Sequence, residues 1–369
     1  QPVDAVEIMD RAALASVAGQ AGVPPELADL PDGTAALLIE TRAGSAAALA
    51  ENIRSVSDCL AEGETLKQAR FTDVPAEYAA LWKVRKGMFP SVGAMREAGT
   101  TVVIEDIAFP LPRLAEGTLE LQKLFRRHGY AHAIIFGHAL EGNLHFVITP
   151  NFGDQDEVRR YHAFMDELCH MVVEKYDGSL KAEHSTGRNI APYVELEWGA
   201  EAYALMQRIK SLLDPRGLLN PGVILNQDAE IHVKNLKSMA AVDPLVDRCI
   251  ECGFCEPICP SRELTLSPRQ RIVALRERSR LQAAGVDLGQ GMQGAGFDYS
   301  LGDTCAGDGL CATRCPVGID TGQIVRRLRA VGHGAGSHRV AGWVNEHMAA
   351  TTAATRVGLN VLHGTSRLI

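Results

Sequence analysis

Seven of the nine cysteines in this chain fall into two short runs. The first is Cys249-Ile-Glu-Cys252-Gly-Phe-Cys255-Glu-Pro-Ile-Cys259-Pro260. The second is Cys305-Ala-Gly-Asp308-Gly-Leu-Cys311-Ala-Thr-Arg-Cys315-Pro316. Both step by 3, 3 and 4 residues, and Asp308 stands where the second cysteine of the repeat would be. The C-x2-C-x2-C-x3-C-P spacing is that of bacterial iron–sulfur ligands. Three close thiolates reach one cluster only if the loop curls tightly, which Gly253, Gly307 and Gly309 permit. In two-cluster proteins the fourth cysteine of a run ligates the other cluster. One cluster is then expected on Cys249, Cys252, Cys255 and Cys315. The other is expected on Cys305, Cys311 and Cys259, with Asp308 or no protein group at its fourth iron. Both are expected to be 4Fe-4S, or the second 3Fe-4S. Zinc is the competing reading, but zinc modules split their thiolates into two separate C-x2-C pairs.

A second constellation lies upstream. His138-Ala-Leu-Glu-Gly-Asn143-Leu-His145 sets two imidazoles on either side of a hairpin turn, where they can face one another. Glu183-His184 follow in Lys181-Ala-Glu-His-Ser-Thr-Gly187-Arg188. Two imidazoles and one carboxylate make a divalent-metal site with open positions, fit for zinc or manganese. A lone histidine is more often a surface or core residue. Three candidate ligands in two Gly-punctuated loops favour the metal.

The elements that must position these groups are legible in part. Residues 4–18 read as a helix, 35–41 and 67–71 as strands, and Ser45 as the cap of a helix to residue 61. Residues 75–88 read as a helix carrying Trp82, Arg85 and Lys86. A β-branched strand is expected at 100–109, helices at 114–128 and 156–176, and a hairpin from 131–137 to 144–149. A helix over 199–213 ends in the turns Asp214-Pro-Arg-Gly217 and Leu219-Asn-Pro-Gly222. Residues 268–283 read as a basic helix with a solvated face, and 317–331 as a helix after the second run. Gly289-Gln-Gly291-Met-Gln-Gly294 fits G-x-G-x-x-G but follows no strand, so it reads as a flexible loop. The expected fold is α+β: an antiparallel-sheet domain followed by an α-helical two-cluster ferredoxin domain. The expected boundaries are 1–225, a linker at 226–245, 246–330, and a helical tail at 331–369 that starts a further domain.

Hydrophobic residues at 46% and charged residues at 22% are those of an ordinary globular protein. The net charge of −8 argues against a nucleic-acid partner. Thiolates that meet iron rather than oxidise belong in a reducing compartment, so a cytoplasmic protein is expected, or one peripheral to the inner membrane. Cys59 and Cys169 sit in helical patterns and read as buried core thiols.

Three segments carry a family resemblance: Gly137-His-Ala-Leu-Glu-Gly-Asn-Leu-His145, Glu183-His-Ser-Thr-Gly-Arg188 and Asp214-Pro-Arg-Gly-Leu-Leu-Asn-Pro-Gly222. They resemble the C-terminal domain of FAD-linked D-2-hydroxy-acid dehydrogenases, the group of glycolate oxidase, D-lactate dehydrogenase and D-2-hydroxyglutarate dehydrogenase. The cysteine runs resemble those of long bacterial members that fuse flavin and iron–sulfur parts. The resemblance covers about residues 1–330. It implies that His138, His145 and Glu183 hold the metal, that His184 is the base, that Arg85 binds the substrate carboxylate and that Asn220 lies near the flavin. It also implies an FAD-binding N-terminal domain outside these 369 residues. Two positions depart from the family pattern: Glu141 stands for its usual Asp, and Ile104 where many relatives carry a substrate-contacting Lys.

The implied reaction is oxidation of a D-2-hydroxy acid, D-2-hydroxyglutarate first and D-lactate second. Electrons would leave the flavin through the clusters to a quinone or a redox protein. Two other classes compete. A non-catalytic electron-transfer subunit has no use for the paired histidines and the Glu183-His184 loop. A metal-dependent hydrolase would show a nucleophile elbow or H-E-x-x-H, and neither occurs.

Overall fold

The computed structural model describes residues 2–20 and 23–366, in two compact units, Gln1–Cys252 and Gly253–Ile369. In the first unit, five strands form one sheet: β1 Ala5–Asp10, β2 Ala35–Glu40, β3 Val103–Ala108, β4 Ile134–His138 and β5 Asn143–Ile148. Their order is β2-β1-β4-β5-β3, and every neighbouring pair is antiparallel. The helices of this unit are α1 Arg11–Val17, α2 Ala46–Ala61, α3 Pro75–Met95, α4 Leu114–Arg127, α5 Gln155–His170, α6 Gly187–Ile190 and α7 Val194–Leu213.

Both faces of the sheet are covered, which is why every residue of β5 is buried. On one face Met9, Ile134, Phe136 and Val147 pack with Leu14 of α1 and with Val84 and Met88 of α3. On the other, Ile107, Ile135, Leu144 and Phe146 meet Leu121 and Phe125 of α4 and Phe164 and Leu168 of α5. Directly opposed residues of paired strands share a face. Glu7 opposes His138, Phe136 opposes His145, and Asp106 opposes His145. Glu7, His138, His145 and Asp106 therefore form a polar row across four strands, on the face otherwise filled by the α1 and α3 core.

Several expectations need correction. Residues 4–18 are not one helix: strand β1 comes first, and buried Asp10 then caps α1 by accepting the Ala13 amide at 2.7 Å. Pairing with β2 and β4 outweighs the helical propensity of this stretch. Residues 67–71 form no strand; the segment is mostly exposed and has no sheet neighbour to pair with. Cys169 is buried, but Cys59 is exposed, because α2 buries only Val56. Residues 226–245 are irregular but anchored: a short 3₁₀ turn, Ile231–Val233, buries His232, whose Nε2 meets His162 Nδ1 at 2.9 Å.

The second unit is helical: α8 Pro268–Ala283, α9 Gly289–Met292, α10 Ala295–Asp298, α11 Leu310–Arg314, α12 Thr321–Val331, α13 Ala335–Glu346 and α14 Met348–Ser366. The glycine triplet at 289–294 thus opens as one helical turn rather than a plain loop. Helix α8 is not simply a solvated basic face, because Arg271 and Arg276 are buried. No helix among the described residues is long and apolar enough to cross a membrane.

Candidate functional site

The β4–β5 hairpin turns through Ala139–Glu141 and Gly142. Gly142 has φ 70, and a Cβ there would lie 2.2 Å from the carbonyl oxygen of Phe109, so this turn requires glycine. It brings the His138 and His145 rings edge to face at 5.3 Å. Glu183 arrives from the loop before α6. Its Oε1 lies 2.9 Å from His145 Nε2 and 3.6 Å from His138 Nε2. Ligand atoms of His138, His145 and Glu183 all lie within 4.8 Å of one another.

The donor set fits a divalent cation. Burial, opposed by Glu183, lowers the His145 pKa to about 4, so its ring is neutral near pH 7, the form that ligates metal. His145 Nδ1 is buried without a hydrogen-bond partner among the described residues. His138 turns Nδ1 to Glu7 Oε1 at 2.6 Å, which directs Nε2 toward Glu183. A carboxylate behind a ligating imidazole fixes its tautomer and raises its basicity. Glu7 is itself buried, and its other oxygen holds Arg85 Nε at 2.6 Å. The Arg85 guanidinium lies over the Phe136 ring, 4.5 Å from its centroid. One buried carboxylate thus ties the expected substrate-binding arginine to an expected metal ligand.

His184 stacks on His145 at 4.9 Å and is partly exposed. Its Nε2 lies 3.3 Å from Glu183 Oε1, and its Nδ1 3.4 Å from Asp106 Oδ1. Fully buried Asp106 holds the loop in place. It accepts the amides of Ala182 at 2.8 Å and Glu183 at 2.7 Å, and Lys181 Nζ stands 3.5 Å from it. Burial alone would raise the Asp106 pKa, but the Glu183 amide, Lys181 and His184 outweigh it and hold it below its ordinary value. Lys181 also pairs with Glu105, which receives Asn189 as well.

Glu7, Asp106 and Lys181 were not singled out from the sequence as site residues. The available signal was charge inside apolar strands, since buried Asp and Glu almost always have partners. Asn220 sits in the exposed turn after α7 with φ 42. That turn is tied by Asp214, whose carboxylate takes Lys210 and the Leu219 and Leu218 amides. These contacts lower the Asp214 pKa from 3.8 to about 2. A carboxyl depressed on folding lends stability that is complete above its unfolded pKa and lost as pH falls through the folded one. Asp214→Asn should therefore destabilise the protein at pH 6, with the difference from wild type closing between pH 3.8 and about 2; denaturant titrations of both proteins across that range check it.

The cysteine runs are divided between the two units. In the first, Arg96 braces the backbone entering the run, donating from Nη2 to the carbonyls of Asp247 and Cys249, each at 2.9 Å. The Glu251 amide lies 3.4 Å from Cys249 Sγ. Cys252 ends this unit and is exposed. In the second unit, Cys255 lies in the turn where the Glu256 amide bonds the Gly253 carbonyl at 2.9 Å. Cys259, Cys305, Cys311 and Asp308 line one recess together with Arg271. Gly307 and Gly309 hold its loop with φ 66 and 74, and exposed Asp308 accepts the Leu310 amide at 3.1 Å. Cys315 caps the end of α11 and is not among the residues lining that recess.

Comparison with known proteins agrees in outline. Residues 1–224 match the family of FAD linked oxidases, C-terminal domain, and residues 245–319 match the 4Fe-4S dicluster domain. The glycolate oxidase subunit GlcD of Bacillus subtilis (strain 168) is 25% identical over 204 residues, 55% of this chain and 42% of that protein. The mitochondrial D-lactate dehydrogenase [cytochrome] of Arabidopsis thaliana is 34% identical over 158 residues, 42% of this chain and 27% of that protein. The D-2-hydroxyglutarate dehydrogenase of Escherichia coli (strain K12) is 26% identical over 308 residues, 69% of this chain and 30% of that protein. The chain spans less than half the length of each of these relatives.

Proposed function

We propose, from the premise that this chain belongs to the FAD-linked oxidases through their C-terminal domain, that it oxidises a D-2-hydroxy acid to the 2-oxo acid and exports the electrons through two iron–sulfur clusters. The observation that carries this is the convergence of His138, His145 and Glu183 within 4.8 Å, with His184 beside them. D-2-hydroxyglutarate is the preferred substrate. The match to a D-2-hydroxyglutarate dehydrogenase covers 69% of this chain, against 55% for the glycolate oxidase subunit and 42% for the D-lactate dehydrogenase.

His138, His145 and Glu183 would hold zinc or manganese, which when bound polarises the substrate's α-hydroxyl and lowers its pKa. Bound FAD would take the electron pair of the C2 hydrogen, and the clusters would carry the electrons onward singly to a quinone or redox protein. His184 takes the hydroxyl proton on Nε2, while Asp106 keeps its Nδ1 engaged. Arg85, fixed by Glu7 through Nε, offers its other N–H groups to the substrate carboxylate. The Phe136 ring supports the guanidinium from below, 4.5 Å from its centroid.

The test is anaerobic mixing of the FAD-loaded protein that carries this chain with D-2-hydroxyglutarate, D-lactate and glycolate. D-2-hydroxyglutarate should bleach the flavin fastest, and iron analysis should return about eight irons per chain if both clusters are cubanes. Faster bleaching by D-lactate would reassign the substrate. No bleaching by any of the three would reduce the chain to an electron carrier.

A further inference from the structure

Arg271 of α8 is 1% exposed and lines the recess of Cys259, Cys305 and Cys311. Its Nε donates to the Leu301 carbonyl at 2.9 Å and its Nη2 to Thr304 Oγ1 at 3.0 Å. Both partners are neutral, and among the described residues Arg271 forms no ion pair. The helix that carries it is rigidly started, with a capping box of Ser267 and Gln270 and with Pro268 in its first turn. Thr304 is held in turn by Thr265 Oγ1 at 2.6 Å. The guanidinium is therefore locked in place and desolvated.

Such a group is expensive to bury. Arginine does not lose its proton in proteins, and an unpaired buried ion is costly even after relaxation, so buried charges are paired or meet a charged ligand. The recess also holds the Asp308 carboxylate, which forms no ion pair with Arg271 among the described residues, and thiolates on iron would add the negative charge that the guanidinium lacks. We propose that Arg271 is the buried counter-cation of the cluster held by Cys259, Cys305 and Cys311, and that it raises that cluster's reduction potential. One-electron reduction adds one negative charge to the cluster, and a fixed cation in a low-dielectric recess stabilises the reduced state more than the oxidised one. That places this cluster downhill for electrons arriving one at a time. The inference rests on the cluster-bearing part of the proposed function and not on its substrate.

The test is an anaerobic redox titration, followed by electron paramagnetic resonance, of the reconstituted chain as wild type, Arg271→Gln and Arg271→Lys. Arg271→Gln should lower one midpoint so that, at the wild-type value, the reduced-to-oxidised ratio falls about tenfold, which is ~59 mV for a one-electron couple. Arg271→Lys, which keeps the charge but not the fork, should stay within about threefold of wild type, half that shift. Loss of one cluster in the Gln variant but not in the Lys variant would support the counter-cation role, since of the two only Lys keeps the positive charge. Identical midpoints in all three proteins, or equal loss of the cluster in both variants, would overturn the role of Arg271. A preparation containing zinc and no acid-labile sulfide would instead sink the cluster reading, leaving the metal centre of the first unit to be judged separately.

Discussion

Replacing His184 by Ala should slow flavin reduction about 10²–10⁴-fold, the range for a positioned general base, with the divalent metal retained. The split between rate and metal content follows from geometry. The loop that delivers Glu183 is held by its backbone amides on Asp106 rather than by the His184 ring. Removing that partly exposed ring leaves Glu183 in place. His138→Ala and Glu183→Ala, by contrast, each remove one of the three converging donors and should lose the metal together with turnover. Stopped-flow flavin reduction beside metal analysis of the three variants decides the matter. Wild-type flavin reduction in His184→Ala would end its assignment as the base.

The second large effect is expected at Asp106. Its carboxylate is fully buried, receives two short amide hydrogen bonds and faces Lys181 and His184. Asp106→Ala leaves those amides without an acceptor and Lys181 with Glu105 as its remaining acidic partner. Breaking a buried charged arrangement by removing one side costs about 3–5 kcal/mol. Urea unfolding should show that loss, and metal binding should weaken in parallel because Glu183 is no longer held toward His145. Asp106→Asn keeps an acceptor oxygen for the amides and should lose less of both. The carboxyl's lowered pKa fixes the sign with pH: its contribution is complete above its ordinary value of 3.8 and disappears as pH falls through the lower folded value. An Asp106→Ala protein as stable as wild type at neutral pH would show that the loop is held by something else.

The parts legible from sequence were those encoded locally. The two cysteine runs carry their own curl in glycine placement, and the loop at 305–311 does adopt left-handed backbone at Gly307 and Gly309. Ser45 is the N-cap of α2, accepting the Ala48 amide, as its type and position suggest. The His138–His145 hairpin turns at Gly142, where only a residue without Cβ fits. Failures came where a distant partner decides. Residues 5–10 became a strand because β2 and β4 lie on either side, whereas 67–71, a more polar segment, found no neighbour. Arg271 looked like one more charge on a basic helix because nothing within α8 reports the recess it lines.

What the sequence by itself determined is the chemistry on offer: thiolates at cluster spacing, two imidazoles at a hairpin and an adjacent carboxylate and imidazole in a glycine-bounded loop. What only the tertiary structure decided is how those groups are oriented and charged. Glu7 reaches His138 across 131 residues and Arg85 across 78, and Asp106 reaches the Glu183 amide across 77. The first arises from strand register and the other two from the packing of α3 and of the 181–184 loop against the sheet; each is a property of two segments jointly, so neither segment's own pattern contains it. Spacing along the chain sets which atoms can ligate together, and the sheet sets which carboxylates stand behind them.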